Sequence, residues 1–248
     1  MKILVCISHV PDTTSKINFT NNNTEFDSNG ITYVINPYDE FGLTRAMIIK
    51  EKLGATVTVI NVGPSSTEPT LRKALAIGAD NAVRINAEPT DANYVSRLLA
   101  NYAKNESFDL IITGRESIDY NGGAVPGMLA TYLDMPFVNA CLGLELNGNQ
   151  ATVIREIDGG KETLQGNLPM LLAGQKGLVE EKDLRIPAMR GIMMARKKPL
   201  TVIEAGDAEK QTSVLKFDLP EAKAACTMIE SDNLDKLVQL LHSEAKVI

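Results

Sequence analysis

The sequence has no tryptophan and only two histidines and three cysteines in 248 residues. Cys6, Cys141 and Cys226 are widely spaced and form no CxxC pair, so with His9 and His242 they do not suggest a zinc site. We therefore expect no metal centre, and we expect the cysteines to be reduced and mostly buried. GxSxG and HExxH motifs are also missing. Such a lack of acid–base machinery is typical both of a protein that positions a cofactor and a partner and of a plain binding module, and we expect no stand-alone enzyme.

Long apolar runs and excess positive charge are missing as well. No stretch approaches the roughly 18–20 apolar residues of a membrane helix, and the formal net charge of −6 argues against nucleic-acid binding. The chain enters an apolar run at Lys2, which is too short for a signal-peptide core. We expect a cytoplasmic protein that does not insert into membranes.

Short apolar runs alternate with helical patterns over the first 140 residues. Strands are predicted at 2–7, 56–62, 81–85, 109–113 and 137–144. Between them, helical spacing leads to Gly54, a second helix begins near Pro69, and a third opens at Asp91. Nearly continuous apolar strands that alternate with helices predict an α/β fold with a doubly wound parallel sheet.

The pattern changes near residue 145. Asn147-Gly148 and Asp158-Gly159-Gly160 are turn signals between short β-like runs, and they predict an antiparallel β-meander that extends the sheet. Residues 176–200 are charged and proline-punctuated, as in a long exposed loop, and the chain beyond 200 is polar until a final helix. That helix carries an apolar stripe at Leu234, Leu237, Val238 and Leu241.

A glycine-bearing segment follows the predicted strand at 109–113. It runs from Gly114 to Gly123, and a helical run begins near Val125. Glycines before a helix let backbone N–H groups approach an anion, and the helix N-terminus adds a favourable dipole. The segment is neither GxGxxG nor a Walker motif, so a phosphate site and an ordinary turn both remain open.

The segment 153–164, which reads VIREIDGGKETL and continues through Pro169 to Ala173, resembles the signature of the electron transfer flavoprotein beta subunit. The stretches at 36–39, 63–64, 71–80 and 185–200 agree with it, so the resemblance covers nearly the whole chain. It implies an adenine-nucleotide-binding, Rossmann-like fold and two regions. The first is a nucleotide-binding α/β domain over 1–200, which includes the meander and a recognition loop at about 183–198. The second is a C-terminal arm and helix over 201–248 that contact the alpha subunit.

The family pairs such a subunit with an alpha subunit that holds most of the redox-active FAD. By resemblance, an AMP without a redox role lies in the beta subunit. The implied AMP site comprises Cys6, Asn36, Pro37, Tyr38, Asp39, Val62, Gly114, Arg115, Glu116, Ser117, Ile118, Asp119, Tyr120, Asn121, Gly122, Gly123, Ala124 and Val125. Glu162 takes the family position at the interface, near the partner's FAD. Met189, between Arg185 and Arg190, matches the recognition residue that enters a pocket of the dehydrogenase.

The resemblance implies an electron carrier that links acyl-CoA or other flavoprotein dehydrogenases, including those of fatty acid beta-oxidation, to a quinone oxidoreductase. One departure concerns the phosphate, because many relatives have amide and hydroxyl side chains where this chain has Gly123, Ala124 and Val125. Two alternatives stay open. One is a bifurcating-type subunit with a second FAD in place of AMP, and the other is an unrelated nucleotide-binding stress protein or ATP pyrophosphatase on the same fold.

Overall fold

The computed structural model describes residues 1–223 and 225–248. Its strands are β1 (Lys2–Cys6), β2 (His9–Pro11), β3 (Phe19–Thr20), β4 (Glu25–Phe26), β5 (Tyr33–Ile35), β6 (Thr56–Val62), β7 (Asn81–Asn86), β8 (Leu110–Gly114), β9 (Phe137–Asn147), β10 (Gln150–Ile157), β11 (Gly160–Asn167), β12 (Met170–Gly174) and β13 (Leu200–Glu204). Its α-helices are α1 (Pro37–Leu53), α2 (Glu68–Ile77), α3 (Ala92–Lys104), α4 (Val125–Leu133), α5 (Met189–Ala195) and α6 (Leu234–Ser243). Short 3-10 helices cover Ser65–Thr67 and Glu181–Asp183.

Nine strands form one sheet in the order β11-β10-β9-β12-β8-β1-β6-β7-β13. The seven strands from β9 to β13 in this order are parallel, and β10 and β11 add the antiparallel meander at one edge. The central parallel strands β6, β8 and β12 are almost entirely buried, as expected of parallel strands that are covered on both faces. The predicted Rossmann-like α/β sheet with a meander is therefore confirmed.

Helices cover both faces of the sheet. Leu43 of α1 and Leu71 of α2 pack with Ile3 on one face, whereas Leu98 of α3 and Leu129 of α4 lie on the other. Alternate residues of β1, β8 and β12 enter the two cores, because successive side chains of a strand point to opposite faces. The strand ends are thereby fixed by packing, and the loops that follow them are held in place.

Three elements differ from the sequence prediction. The segment 176–200 is not one long exposed loop, because α5 forms within it and Leu178, Val179 and Ala195 are buried. The chain beyond 200 is not irregular at its start, because β13 pairs in parallel with β7. Strand β12, which was not predicted, lies between β9 and β8.

The prediction for the cysteines is wrong at one position: Cys6 and Cys141 are buried, but Cys226 is exposed. It lies in the polar C-terminal arm, where few apolar side chains are available to cover it.

Within the described residues, the contacts of the C-terminal arm with the body include hydrogen bonds to Asp91 and an aromatic stack on Phe19. Asp91, which caps α3 through the backbone N–H of Tyr94, also accepts N–H groups of Gln211 and Thr212. Further along, Phe217 stacks on Phe19 with 4.6 Å between the ring centroids. Beyond these contacts, α6 forms as predicted.

The apolar stripe of α6 faces outward, with Leu234, Leu237 and Val238 all exposed. Among the helices of the described residues, none combines the length and the apolar character needed to cross a bilayer.

Candidate functional site

The strand order reverses at β1. Strands β6 and β7 lie on one side of it, and β8 returns to the other side. In open α/β sheets, ligands bind beyond the carboxyl ends of the strands at such a reversal. The topology therefore puts the candidate site over the ends of β1 and β8, where the chain continues into Ile7-Ser8 and Arg115-Glu116.

A buried carboxylate joins the two strand ends. Asp39, in the first turn of α1, accepts the backbone N–H of Ser8 at 2.7 Å with one oxygen and that of Gly114 at 2.8 Å with the other. The residue is only 2% exposed. The Asn36–Asp39 segment follows β5, which pairs with β2 outside the large sheet, and it enters the site at the start of α1.

The side chain of Asn36 forms two hydrogen bonds with the backbone of the loop that follows β8. Its amide nitrogen donates to the carbonyl of Glu116 at 2.9 Å, and its amide oxygen accepts the N–H of Ile118 at 3.2 Å. Because a side chain at 114 would occupy the space of these groups, the position requires glycine. A Cβ there would overlap Oδ1 of Asp39 and lie 2.8 Å from Cβ of Tyr38.

Burial controls the protonation of this cluster. It raises the pKa of Asp39 to about 7, although the N–H groups of Ser8 and Gly114 favour the carboxylate. Burial, and then the neighbouring Asp39, also raise the pKa of the Cys6 thiol, so this cysteine is a packing residue and not a nucleophile.

The far end of the loop presents backbone donors. Residues 119–123 are exposed, and α4 begins at Val125. Among the described residues, the N–H groups of Gly122, Gly123, Ala124 and Val125 are paired with no protein acceptor. Four such donors at the start of a nine-residue helix suit the oxygens of a phosphate. The donors present therefore fit a phosphate group, with backbone N–H groups supplying the contacts.

A cavity of about 400 Å³ adjoins the loop. It is lined by Pro37, Tyr38, Glu40, Phe41, Ile118, Lys176, Glu181 and Leu184. It connects the start of α1 and the 114–125 loop with the segment that precedes α5. Of the remaining predicted residues, Val62 is buried at the end of β6.

The structure separates Glu162 from this cluster. Glu162 lies on β11 at the meander edge, opposite Arg155 of β10, with 2.6 Å between Nε of Arg155 and Oε2 of Glu162. Both side chains are more than a third exposed.

The residues of the predicted recognition loop form a third group. Met189 begins α5 and is 76% exposed, and Arg190 follows it on the surface. Arg185 pairs with Glu51 at 2.8 Å. The region around Met189 is helical, which corrects the expectation of a loop, and the exposure of Met189 agrees with the role that the resemblance implies.

Sequence reasoning missed Gln175, which follows β12 and is buried. Its amide oxygen accepts a hydrogen bond from Nη1 of Arg115 at 3.0 Å, and its amide nitrogen donates a hydrogen bond to the carboxylate of Glu156 on β10. Gln175 thereby links the loop to the meander. The run Met170–Gly174, five apolar residues after Pro169, was the available signal for the strand that positions it.

A wound parallel sheet with a hydrogen-bonded loop cluster at its reversal point defines a Rossmann-like α/β protein. The family model of the electron transfer flavoprotein domain matches residues 24–208. The electron transfer flavoprotein subunit beta of Bacillus subtilis (strain 168) is 37% identical over 262 residues, which cover 100% of both chains. The same-named proteins of Syntrophomonas wolfei and Bos taurus are 33% and 32% identical, and the alignments cover 100% and 93% of this chain and 98% and 93% of theirs. The chain belongs to the electron transfer flavoprotein family, as a member of its beta subunits.

Proposed function

We propose that the chain is the beta subunit of a heterodimeric electron transfer flavoprotein and that it binds AMP at the reversal point of its sheet. The observation that carries the proposal is the loop cluster in which Asp39 joins Ser8 to Gly114 and four backbone N–H groups remain free at residues 122–125 among the described residues. Adenine and ribose would lie over the ends of β1 and β6, and the phosphate at the start of α4. AMP there holds the loops together and carries no electrons.

The electrons pass through FAD, which the alpha subunit holds for the most part. When bound, FAD supplies reversible acceptance of electrons from flavoprotein dehydrogenases, acyl-CoA dehydrogenases among them, and their delivery to a quinone oxidoreductase. The contribution of this chain is a surface beside the flavin. Glu162, kept in place by Arg155 across two antiparallel strands, holds a negative charge at the meander edge.

Two surfaces suit the alpha subunit. Strand β11 is the edge of the sheet, and Ile154 and Ile157 on the neighbouring β10 are exposed. The stripe of α6 is likewise exposed. A short amphipathic helix is marginally stable alone and gains stability when its apolar side is covered. Both surfaces are therefore proposed to be buried in a cytoplasmic heterodimer.

The residues around Met189 are proposed to recognise the dehydrogenase. Methionine adapts to pockets of different shape, and one exposed apolar side chain among basic residues suits a transient contact. Arg190, Arg196 and Lys197, all exposed, add positive charge that raises the association rate with an acidic partner.

Reduction kinetics of the heterodimer, co-expressed with an alpha subunit, test the proposal. Met189→Ala should slow flavin reduction by the dehydrogenase, by about tenfold at subsaturating concentration, and should leave the flavin spectrum unchanged. Met128→Ala removes another partly exposed methionine, on α4, and serves as the control. Equal rates for the two variants would remove the recognition role.

Glu162→Ala tests the interface. Because the side chain is more than a third exposed and already paired with Arg155, its loss should alter the electron-transfer rate more than the affinity for the alpha subunit. Glu145→Ala removes an exposed carboxylate from β9 and is the matched control. A loss of heterodimer with normal electron transfer would mean that Glu162 has a purely structural role.

A further inference from the structure

Helix α5 lies against the C-terminal half of α2. A Cβ on Gly191 would overlap the carbonyl oxygen of Ala76, so the two backbones touch at this point. Ala195, at the end of α5, is buried in the core that α2 also enters. The contact is possible only because residue 191 has no side chain.

Two cationic side chains link the helices, one from α2 to the end of α5 and one from the segment after α5 to the end of α2. Arg72 of α2 donates from Nη1 to the carbonyl oxygens of Ala195 and Lys198, both at 2.8 Å. Lys198 donates from Nζ to the carbonyl oxygens of Leu75 and Ala79, at 2.9 and 2.6 Å. Carbonyl groups at a helix C-terminus lack partners within the helix and carry partial negative charge, so a cation is favourable there.

Lys198 is therefore not part of a solvated basic run. Lys198 is only partly exposed, and burial lowers its pKa. The nearby positive charge of Lys50 lowers the pKa further. Its neighbours Arg196 and Lys197 are exposed. The basic stretch 196–198 thus divides into two surface charges and one residue that holds α5 to α2.

These contacts hold an apolar face outward. Met189, Met193 and Met194 are 76%, 67% and 52% exposed, and Ile192 is 44% exposed. A helix of seven residues is too short to persist by itself in water. Without the contacts to α2, the segment would lose its helical form and the spacing of these side chains.

We propose that Arg72 and Gly191 are positioning residues that preform α5 as the docking helix for the dehydrogenase. The inference rests on the proposed function, because it requires that the partner docks at Met189. Holding a binding segment in its bound form lowers the ordering cost of association. Loss of either residue therefore weakens docking and leaves the flavin and its chemistry untouched.

Steady-state kinetics of the holo-heterodimer with the dehydrogenase test the proposal. Arg72→Met removes both hydrogen bonds at similar length, and Gly191→Ala pushes α5 from α2 without a change of charge. Each should raise the KM for the heterodimer about tenfold, with kcat changed less than twofold. Arg97→Met, on α3, removes an equal charge and should leave KM unchanged.

Two further measurements separate positioning from general damage. Arg72→Lys keeps one donor and should restore part of the lost affinity, whereas hydrogen exchange at residues 189–198 should be faster in Arg72→Met and Gly191→Ala than in wild type. An unchanged KM in both variants, while Met189→Ala raises it, would overturn the positioning role and leave the docking site standing. An unchanged KM in Met189→Ala would overturn the docking site itself. A fall in kcat together with loss of flavin would show a structural role only, and would also refute the proposal.

Discussion

Gly114→Ala is the substitution that probes the loop cluster most sharply. The added methyl group would overlap Oδ1 of Asp39 and crowd Cβ of Tyr38 and the amide of Asn36. Overpacking typically costs about 1–3 kcal/mol, and the loss of a hydrogen bond to a charged group costs about 1.5–3 kcal/mol. Both effects arise from the same displacement, so we expect the free energy of unfolding to fall by about 2–4 kcal/mol.

Gly122→Ala is the matched control in the same loop. A Cβ there meets no described atom within 4 Å, and its φ lies outside the left-handed region. Its free energy of unfolding should stay within about 0.5 kcal/mol of wild type. Urea denaturation of the purified chain measures the stability of both variants, and titration with AMP should show at least about tenfold weaker binding for Gly114→Ala than for wild type. Equal stability of the two variants, or wild-type AMP affinity in Gly114→Ala, would refute the reasoning.

Two further predictions concern Asp39 and Asp91. Because burial raises the pKa of Asp39 from 3.8 to about 7, the folded state holds this proton more tightly than the unfolded state. Wild type should therefore lose stability relative to Asp39→Asn as pH rises from about 4 to about 7, by at most about 4 kcal/mol; a pH-independent difference in urea denaturation would contradict this. Asp91→Ala removes the α3 cap and the acceptor for the N–H groups of Gln211 and Thr212. It should lower the free energy of unfolding by about 1–2 kcal/mol and speed hydrogen exchange at these two residues. Unchanged exchange would show that the arm is held elsewhere.

The sequence predicted the elements that depend on local pattern. Strands β1 and β8 are largely apolar, and Gly54 and Asp91 mark helix ends because glycine adopts the left-handed conformation and aspartate caps a helix N-terminus. The elements it missed depend on distant residues. Helix α5 is held by Arg72, more than 100 positions away along the chain. Strand β13 is a short, mostly exposed edge strand that forms by pairing with the distant β7.

The candidate site shows the same division. The loops after β1 and β8 could be paired from the expected sheet topology, because parallel strands end at one edge. The geometry of Asp39 could not be foreseen, since its two acceptor contacts depend on how α1 crosses the sheet. Gln175 was missed because its partners Arg115 and Glu156 lie on different elements.

The central claim is that this chain binds an adenine nucleotide while its companion holds the flavin. Acid release and quantification of nucleotides from the purified heterodimer tests it most directly. The account predicts one FAD and one AMP per heterodimer. Two FAD and no AMP would favour the bifurcating type, and a heterodimer with one FAD and no adenylate would contradict the claim.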